Sequence, residues 1–293
     1  MSCLTPLEIV RDRQKITGGL VDVVPCGKCP ECLRRRQTSW IFRLQKEQER
    51  ANTSAFLTLT YEDTKLPLID NGLPSLHPPD HQAFIKRLRQ QIIRDKRKYR
   101  DRLKQHYNYY FGRNQPIKYY AVGEYGSITS RPHYHSIIYN LPNFYIQRPE
   151  KVEQIWQQGQ VMVAACNQNT IAYVSKYCDK QMSKEQKLQT NQHPEFSTMS
   201  KRIGDNFLTP QMKRYMERTL NPYIITNQGF KIAIPRYYRT KGLSESASKK
   251  LGRKAKEYAL QQENYQSAKH ELEYVQYRLD KHRRNNYINR QTI

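Results

Sequence analysis

The chain has 293 residues, with 50 Lys and Arg against 26 Asp and Glu, a formal net charge of +24. That length supports a substantial core in one domain with extensions or in two, and the charge excess implies attraction to a polyanion. No run approaches the apolar length of a membrane span, and Met1-Ser2-Cys3-Leu4-Thr5-Pro6 lacks the regions of a signal peptide, so a cytosolic protein is expected. A basic amphipathic surface also suits a membrane, but 22 tyrosines suit stacking on bases at least as well, which makes nucleic acid the leading partner.

In chain order, Pro25-Cys26-Gly27-Lys28-Cys29-Pro30-Glu31-Cys32 comes first, with Cys3 upstream. Cysteines two residues apart in a turn-rich stretch aim several thiolates at one point, and Cys3 would complete a four-sulfur site. Structural zinc is the first reading; an iron–sulfur cluster and reduced cysteines with a packing role are the alternatives, and a reducing cytosol disfavours disulfides. Cys166 and Cys178 read as small buried hydrophobes.

Residues 33–50 suggest a basic helix with Trp40, Ile41 and Leu44 on its apolar side, and 55–61 a strand. Prolines and Asn71-Gly72 mark 67–79 as a loop or short hairpin. Asp80 is the expected cap of a helix that carries Phe84, Leu88 and Ile92 at every fourth position. Residues 117–125 and 131–139 read as two strands joined by the 126–130 loop. Then come a short helix at 152–157, a strand at 160–164, and a helix capped by Asn169 or Thr170 that runs over 171–180. A mostly antiparallel sheet with helices on one side fits this order, because the regular crossovers of a doubly wound sheet are missing.

Residues 183–204 look polar and loop-rich. Beyond them Thr209-Pro210 starts a helix, and 223–226 with 230–234 flanks Asn227-Gln228-Gly229 as a hairpin. From Ser244 onward Tyr258, Tyr265, Ala268, Leu272, Val275 and Leu279 hold spacings of seven, three, four, three and four, a helical stripe that suits a coiled coil between copies or packing onto the core. The expected division is a Cys-rich segment and basic helix at 1–50, a core at 51–182, an accessory loop and hairpin region at 183–242 and a basic amphipathic helical tail at 243–293.

Two constellations carry chemistry. In a strand, the period of two puts His133 and His135 on one face and Tyr134 on the other. Pairing of the two neighbouring strands brings Glu124 beside them, which gives two imidazoles and a carboxylate with open positions for water or phosphate. Glu62 and Asp63 are weaker candidates for the carboxylate. In the 171–180 helix, Tyr173, Lys176, Tyr177 and Lys180 share one face, and Ile171, Val174, Cys178 and Met182 the other. A phenol is a weak nucleophile at neutral pH and needs a metal, cations or a base beside it. Two tyrosines, two lysines and a metal group supply the parts of a phosphodiester transesterification.

At these residues the chain resembles the HUH endonucleases, specifically the rolling-circle replication initiators of microviruses of the gokushovirus type. Phe56-Leu57-Thr58-Leu59-Thr60-Tyr61 looks like the first motif of that family, Pro132-His133-Tyr134-His135 its metal motif, and Tyr173-Val174-Ser175-Lys176-Tyr177 its tyrosine motif. Pro25-Cys26-Gly27-Lys28-Cys29, Gly123-Glu124-Tyr125-Gly126 and Pro235-Arg236-Tyr237-Tyr238 extend the resemblance over roughly the first 240 residues. Its metal motif takes a bulky hydrophobe in the middle, and Tyr134 is a polar-tipped version of one.

The resemblance implies a small antiparallel sheet flanked by helices, with magnesium or manganese held by His133, His135 and Glu124. It implies that Tyr173 or Tyr177 attacks single-stranded or supercoiled viral origin DNA, leaving a 5′-phosphotyrosine link and a 3′-hydroxyl for a host polymerase. The other tyrosine serves strand transfer, and Lys176 and Lys180 face the phosphate. Such a protein works in the bacterial host cytoplasm. No Gly-x-x-x-x-Gly-Lys-Ser/Thr loop is present, so strand separation falls to a host helicase or to supercoiling. Competing readings are a two-histidine phosphoesterase, whose repeated His-x-Ser/Thr is missing, an HUH transposase or relaxase, and a noncatalytic basic single-stranded DNA-binding protein.

Overall fold

In a computed structural model of the chain, the described residues are 3–10, 21–112, 115–126, 129–176, 191–262 and 276. They divide into two units, Met1–Ser39 with Leu208–Ile293, and Trp40–Phe207.

In the first unit, strands β1 (Leu7–Val10) and β2 (Val21–Val24) form an antiparallel hairpin, which the turn-rich reading of this region did not foresee. Helix α1 (Pro30–Arg50) begins here and contains the boundary between the units. In the second unit come β3 (Ser54–Thr60), α2 (Pro78–Leu103), α3 (Tyr107–Phe111), β4 (Lys118–Tyr125) and β5 (Pro132–Tyr139). After them follow α4 (Asn143–Ile146), α5 (Pro149–Trp156), β6 (Val161–Ala165), α6 (Gln168–Lys176) and β7 (Phe196–Met199). The chain then returns to the first unit with α7 (Pro210–Thr219), the hairpin of β8 (Tyr223–Ile225) and β9 (Lys231–Ala233), α8 (Arg236–Gly242) and α9 (Glu245–Gln262).

The centre of the second unit is a five-stranded antiparallel sheet in the order β6-β3-β5-β4-β7. The fold is therefore α+β, with the His-bearing β5 as its middle strand. Every strand residue contributes to one of two faces. Phe56, Tyr120, Val122, Ile137 and Tyr139 point to one, where Leu44 of α1 and Ile171 and Val174 of α6 cover them. Ala55, Leu57, Leu59, Tyr134 and Ile138 point to the other, under Phe84, Ile85, Leu88 and Ile92 of α2 and Val152, Ile155 and Trp156 of α5. Helices thus lie on both faces, not on one as expected. β5 is buried along nearly its whole length, and a middle strand buried on both sides needs cover on both. Each fully buried Leu or Phe here contributes about 1.5–3 kcal/mol.

Local chemistry explains the element ends. α2 starts one turn earlier than expected, at Pro78, because Pro78-Pro79 sets the helical φ for its first positions; Asp80 sits in the first turn and accepts from the Tyr61 hydroxyl at 2.8 Å. α6 is capped neither by Asn169 nor by Thr170 but by Asn167, whose Oδ1 accepts from the Thr170 amide at 3.0 Å while Thr170 Oγ1 accepts from the Asn167 amide at 2.9 Å. β7 lies within the stretch expected to be loop. It is four residues long and only partly buried, so it carries little hydrophobic signal, and pairing with β4 makes it a strand. Thr209 caps α7 by accepting from the Met212 amide, as Thr209-Pro210 suggested. Cys166 is half-buried rather than buried. Cys178 lies outside the described residues, as does the tail stripe from Tyr265 on.

Candidate metal and phosphoryl-transfer site

The strand register brings the site together. Glu124 on β4 stands opposite His133 on β5, and His135, two residues on, stands between Val122 of β4 and Thr58 of β3. One sheet face therefore presents Thr58, Thr60, Glu124, His133 and His135. His133 Nε2 and His135 Nε2 each lie 2.8 Å from Glu124 Oε1. His135 and Glu124 are buried, and His133 is partly open.

The outward ring nitrogens are held as well. His133 Nδ1 lies 3.1 Å from the Arg131 carbonyl, and because a carbonyl only accepts, Nδ1 carries the proton. His135 Nδ1 lies 3.0 Å from Thr58 Oγ1. Both partners favour rings whose Nε2 lone pairs turn to the shared point, the arrangement a metal ligand needs. Two neutral lone pairs against a carboxylate oxygen repel, so the group calls for a cation between them. The raised pKa of His133 reflects this: burial lowers it, but the hydrogen bond and charge of Glu124 outweigh burial. Two imidazole nitrogens and a carboxylate oxygen, oriented in this way, fit a divalent ion.

Tyr173 reaches this point from α6. Its hydroxyl donates to Glu124 Oε1 at 2.8 Å and lies 3.4 Å from His135 Nε2. Ile171 and Val174 fix the helix by their burial, and Tyr173 stays about one-third exposed, at 36%. Phe56 stacks on His135 with ring planes 12° apart and meets Tyr173 edge-on. Lys176 is exposed at the end of α6. Tyr177 and Lys180 lie outside the described residues. Glu62 pairs with Lys65, and Asp63 with Arg131, so neither joins the metal group.

Three contributors escaped the sequence reading: Thr58, Arg131 and Phe56. The signal for two of them was present, since Phe56 and Thr58 alternate on the face that strand pairing gives to the histidines. Arg131 anchors the start of β5 with its guanidinium on the Tyr61 carbonyl and Asp63. Tyr134 faces away from the site. It is fully buried, and its hydroxyl is satisfied by Tyr61 at 3.0 Å and by the His77 amide and carbonyl at 3.0 and 2.9 Å. A polar tip is accommodated there because three partners meet it.

In the first unit, the Sγ atoms of Cys3, Cys26, Cys29 and Cys32 lie within 4.8 Å of one another. Burial raises the Cys26 thiol, but hydrogen bonds from the Thr5 hydroxyl and the Lys28 and Cys29 amides outweigh it and bring its pKa to about 6. Cys32 is pushed up to about 12, first by burial and then by the neighbouring sulfurs.

Comparison with known proteins places these features. The sequence model of the replication-associated protein ORF2 family matches residues 54–182, which span the sheet from β3 to α6 and contain the whole metal group. Residues 54–182 are a domain of that family. This replication-associated domain lies within longer similarities to named phage proteins. The chain is 27% identical over 262 residues to "Replication-associated protein VP4" of Bdellovibrio phage phiMH2K, covering 82% of this chain and 76% of that one. It is 29% identical to "Replication-associated protein ORF2" of Spiroplasma virus 4, covering 74% and 67%. It is 26% identical to "Replication-associated protein ORF4" of Chlamydia phage 1, where it spans about half of that protein, 52%. No solved structure matches the chain. Among the described residues no helix is long and apolar enough to cross a membrane.

Proposed function

We propose that this chain is a viral replication initiator that nicks single-stranded origin DNA by metal-assisted tyrosine transesterification, inside the host bacterium. The observation that carries this reading is the Tyr173 hydroxyl, 2.8 Å from the carboxylate oxygen on which two histidines converge. The replication-associated names of the relatives agree with it.

His133, His135 and Glu124 would hold magnesium or manganese, which supplies polarisation of the scissile phosphate and charge neutralisation. Tyr173 supplies the nucleophile. Its oxygen forms a bond to phosphorus as the bond from phosphorus to the 3′ oxygen breaks, which leaves the 5′ end on the tyrosine and a 3′-hydroxyl on the other strand end. The phenol proton leaves toward Glu124 Oε1, its present acceptor, and the departing 3′ oxygen takes up a proton from water. Lys176 faces phosphate oxygens. Tyr177 is assigned the strand-transfer step that reverses the chemistry and closes the circle, and Lys180 a cationic role beside it. A host polymerase extends the 3′ end and a host helicase or supercoiling opens the duplex. The C-terminal stripe is assigned to grip DNA or to join copies of the chain.

His135→Ala tests the metal assignment. Nicking that depends on manganese falls by at least about a hundredfold, while salt-sensitive binding to the same single strand stays within about twofold. Equal loss of nicking and binding would make His135 a folding residue and contradict the assignment.

A further inference from the structure

The nicking chemistry leaves one built cluster unused, the four cysteines of the first unit. Their sulfurs sit at non-bonded distance: Cys3 Sγ and Cys29 Sγ are 3.8 Å apart, far beyond a disulfide bond of about 2.05 Å. A tetrahedral zinc ion about 2.3 Å from each sulfur spaces its ligands about 3.8 Å apart. All four sulfurs fall within 4.8 Å of one another, the scale of one ion. An iron–sulfur cluster interposes several atoms between its thiolates and needs wider spacing.

The surroundings are shaped for thiolates. Gly27 adopts φ +75°, a left-handed turn that glycine permits without strain, and this turn points the Lys28 and Cys29 amides at Cys26 Sγ, 3.4 and 3.3 Å away. Thr5 Oγ1 donates to the same sulfur at 3.2 Å, and the Cys26 amide donates to Cys3 Sγ at 3.2 Å. Cys29 immediately precedes α1 and Cys32 lies in its first turn, where the helix dipole favours negative charge.

The fold around the cluster also needs a tie. Cys3 precedes β1 and Cys26 follows β2, so the sulfurs close the open end of that hairpin onto the start of α1. The hairpin has little core of its own: Leu7 and Ile9 are 53% and 49% exposed. A two-stranded hairpin is marginal alone in water, and metal binding supplies folding free energy where burial does not.

We propose that Cys3, Cys26, Cys29 and Cys32 bind a single tetrahedral zinc ion that holds the β1–β2 hairpin to the first turn of α1, as a structural site separate from the nicking metal.

Elemental analysis of the purified full-length protein tests this, with wild type compared to a His133→Ala/His135→Ala variant and a Cys26→Ser/Cys29→Ser variant. The expected result is one zinc per chain in the first two and less than a tenth of that in the cysteine variant. Because the cysteine variant can lose its fold, wild type is also titrated with a mercurial reagent in the presence of a zinc dye. One zinc released for every four protected thiols, and a tetrahedral tetrathiolate absorption spectrum after exchange with cobalt, support the site. Four freely reactive thiols with no zinc, iron with acid-labile sulfide, or zinc that is lost in the histidine variant would each overturn it.

Discussion

At the scale of single residues, the site depends on groups that never touch substrate. Thr58 holds the outer nitrogen of His135, and the Arg131 carbonyl holds that of His133. Loss of such a partner leaves the ligand in place but frees its ring to rotate, and it typically weakens metal affinity by about 10–100-fold. Thr58→Val keeps the shape of the side chain and removes its hydroxyl. The manganese concentration that gives half-maximal nicking is expected to rise by about 10–100-fold, and Thr58→Ser to return it to near the wild-type value. A manganese titration of nicking rate checks both, and an unchanged half-point in Thr58→Val would remove Thr58 from the site. His133, His135, Glu124 and Tyr173 were readable from the sequence because each obeys a period, two along a strand or 3.6 along a helix. Arg131 was not, since its contribution runs through its backbone carbonyl and the turn that places its guanidinium.

At the scale of elements, the contact between α2 and β5 stabilises the sheet from the face opposite the site. His81 of α2 is fully buried, its Nε2 3.0 Å from Ser136 Oγ of β5, and burial lowers its pKa from 6.5 to about 4. The sign follows from proton uptake. Between the two values the unfolded chain takes a proton that the folded chain refuses, so stability is complete above about pH 6.5 and falls as the pH drops toward 4. The loss attributable to this residue is on the order of 3 kcal/mol. Urea unfolding at several pH values is expected to show a steeper acid decline in wild type than in His81→Gln, and parallel curves would disprove the assignment. Tyr134, also on β5, closes a network with Tyr61 and His77. Tyr134→Phe is expected to cost about 1–3 kcal/mol by leaving the His77 amide without that acceptor, with nicking retained, because Tyr134 faces away from the metal group. Strands β3 to β6 were legible because aromatic and β-branched residues alternate in them. β7 was not: Phe196-Ser197-Thr198-Met199 becomes a strand only through β4, a contact no local window contains.

At the scale of the whole chain, the charge of +24 and the sheet serve different parts of one task. The charge draws any polyanion near, with an affinity that salt screens, and so it does not separate an initiator from a passive binder. The sheet makes that separation, because it gathers two imidazoles, a carboxylate and a phenol from three elements at one point. The antiparallel arrangement flanked by helices was legible from element order, but cover on both faces was not, since buried residues on either side of β5 read alike in sequence. The account stands on a covalent link between tyrosine and DNA. The measurement that tests it is denaturing gel analysis of 5′- and 3′-labelled single-stranded origin-region DNA incubated with the protein and manganese, for wild type, Tyr173→Phe, Tyr177→Phe and the double variant. The predicted result is a protein adduct on the fragment bearing the new 5′ end, formed by wild type and lost in the double variant, with the first cut lost in Tyr173→Phe. Tight binding to the same DNA with no cleavage and no adduct in wild type would contradict the account and leave a noncatalytic single-strand binder in its place.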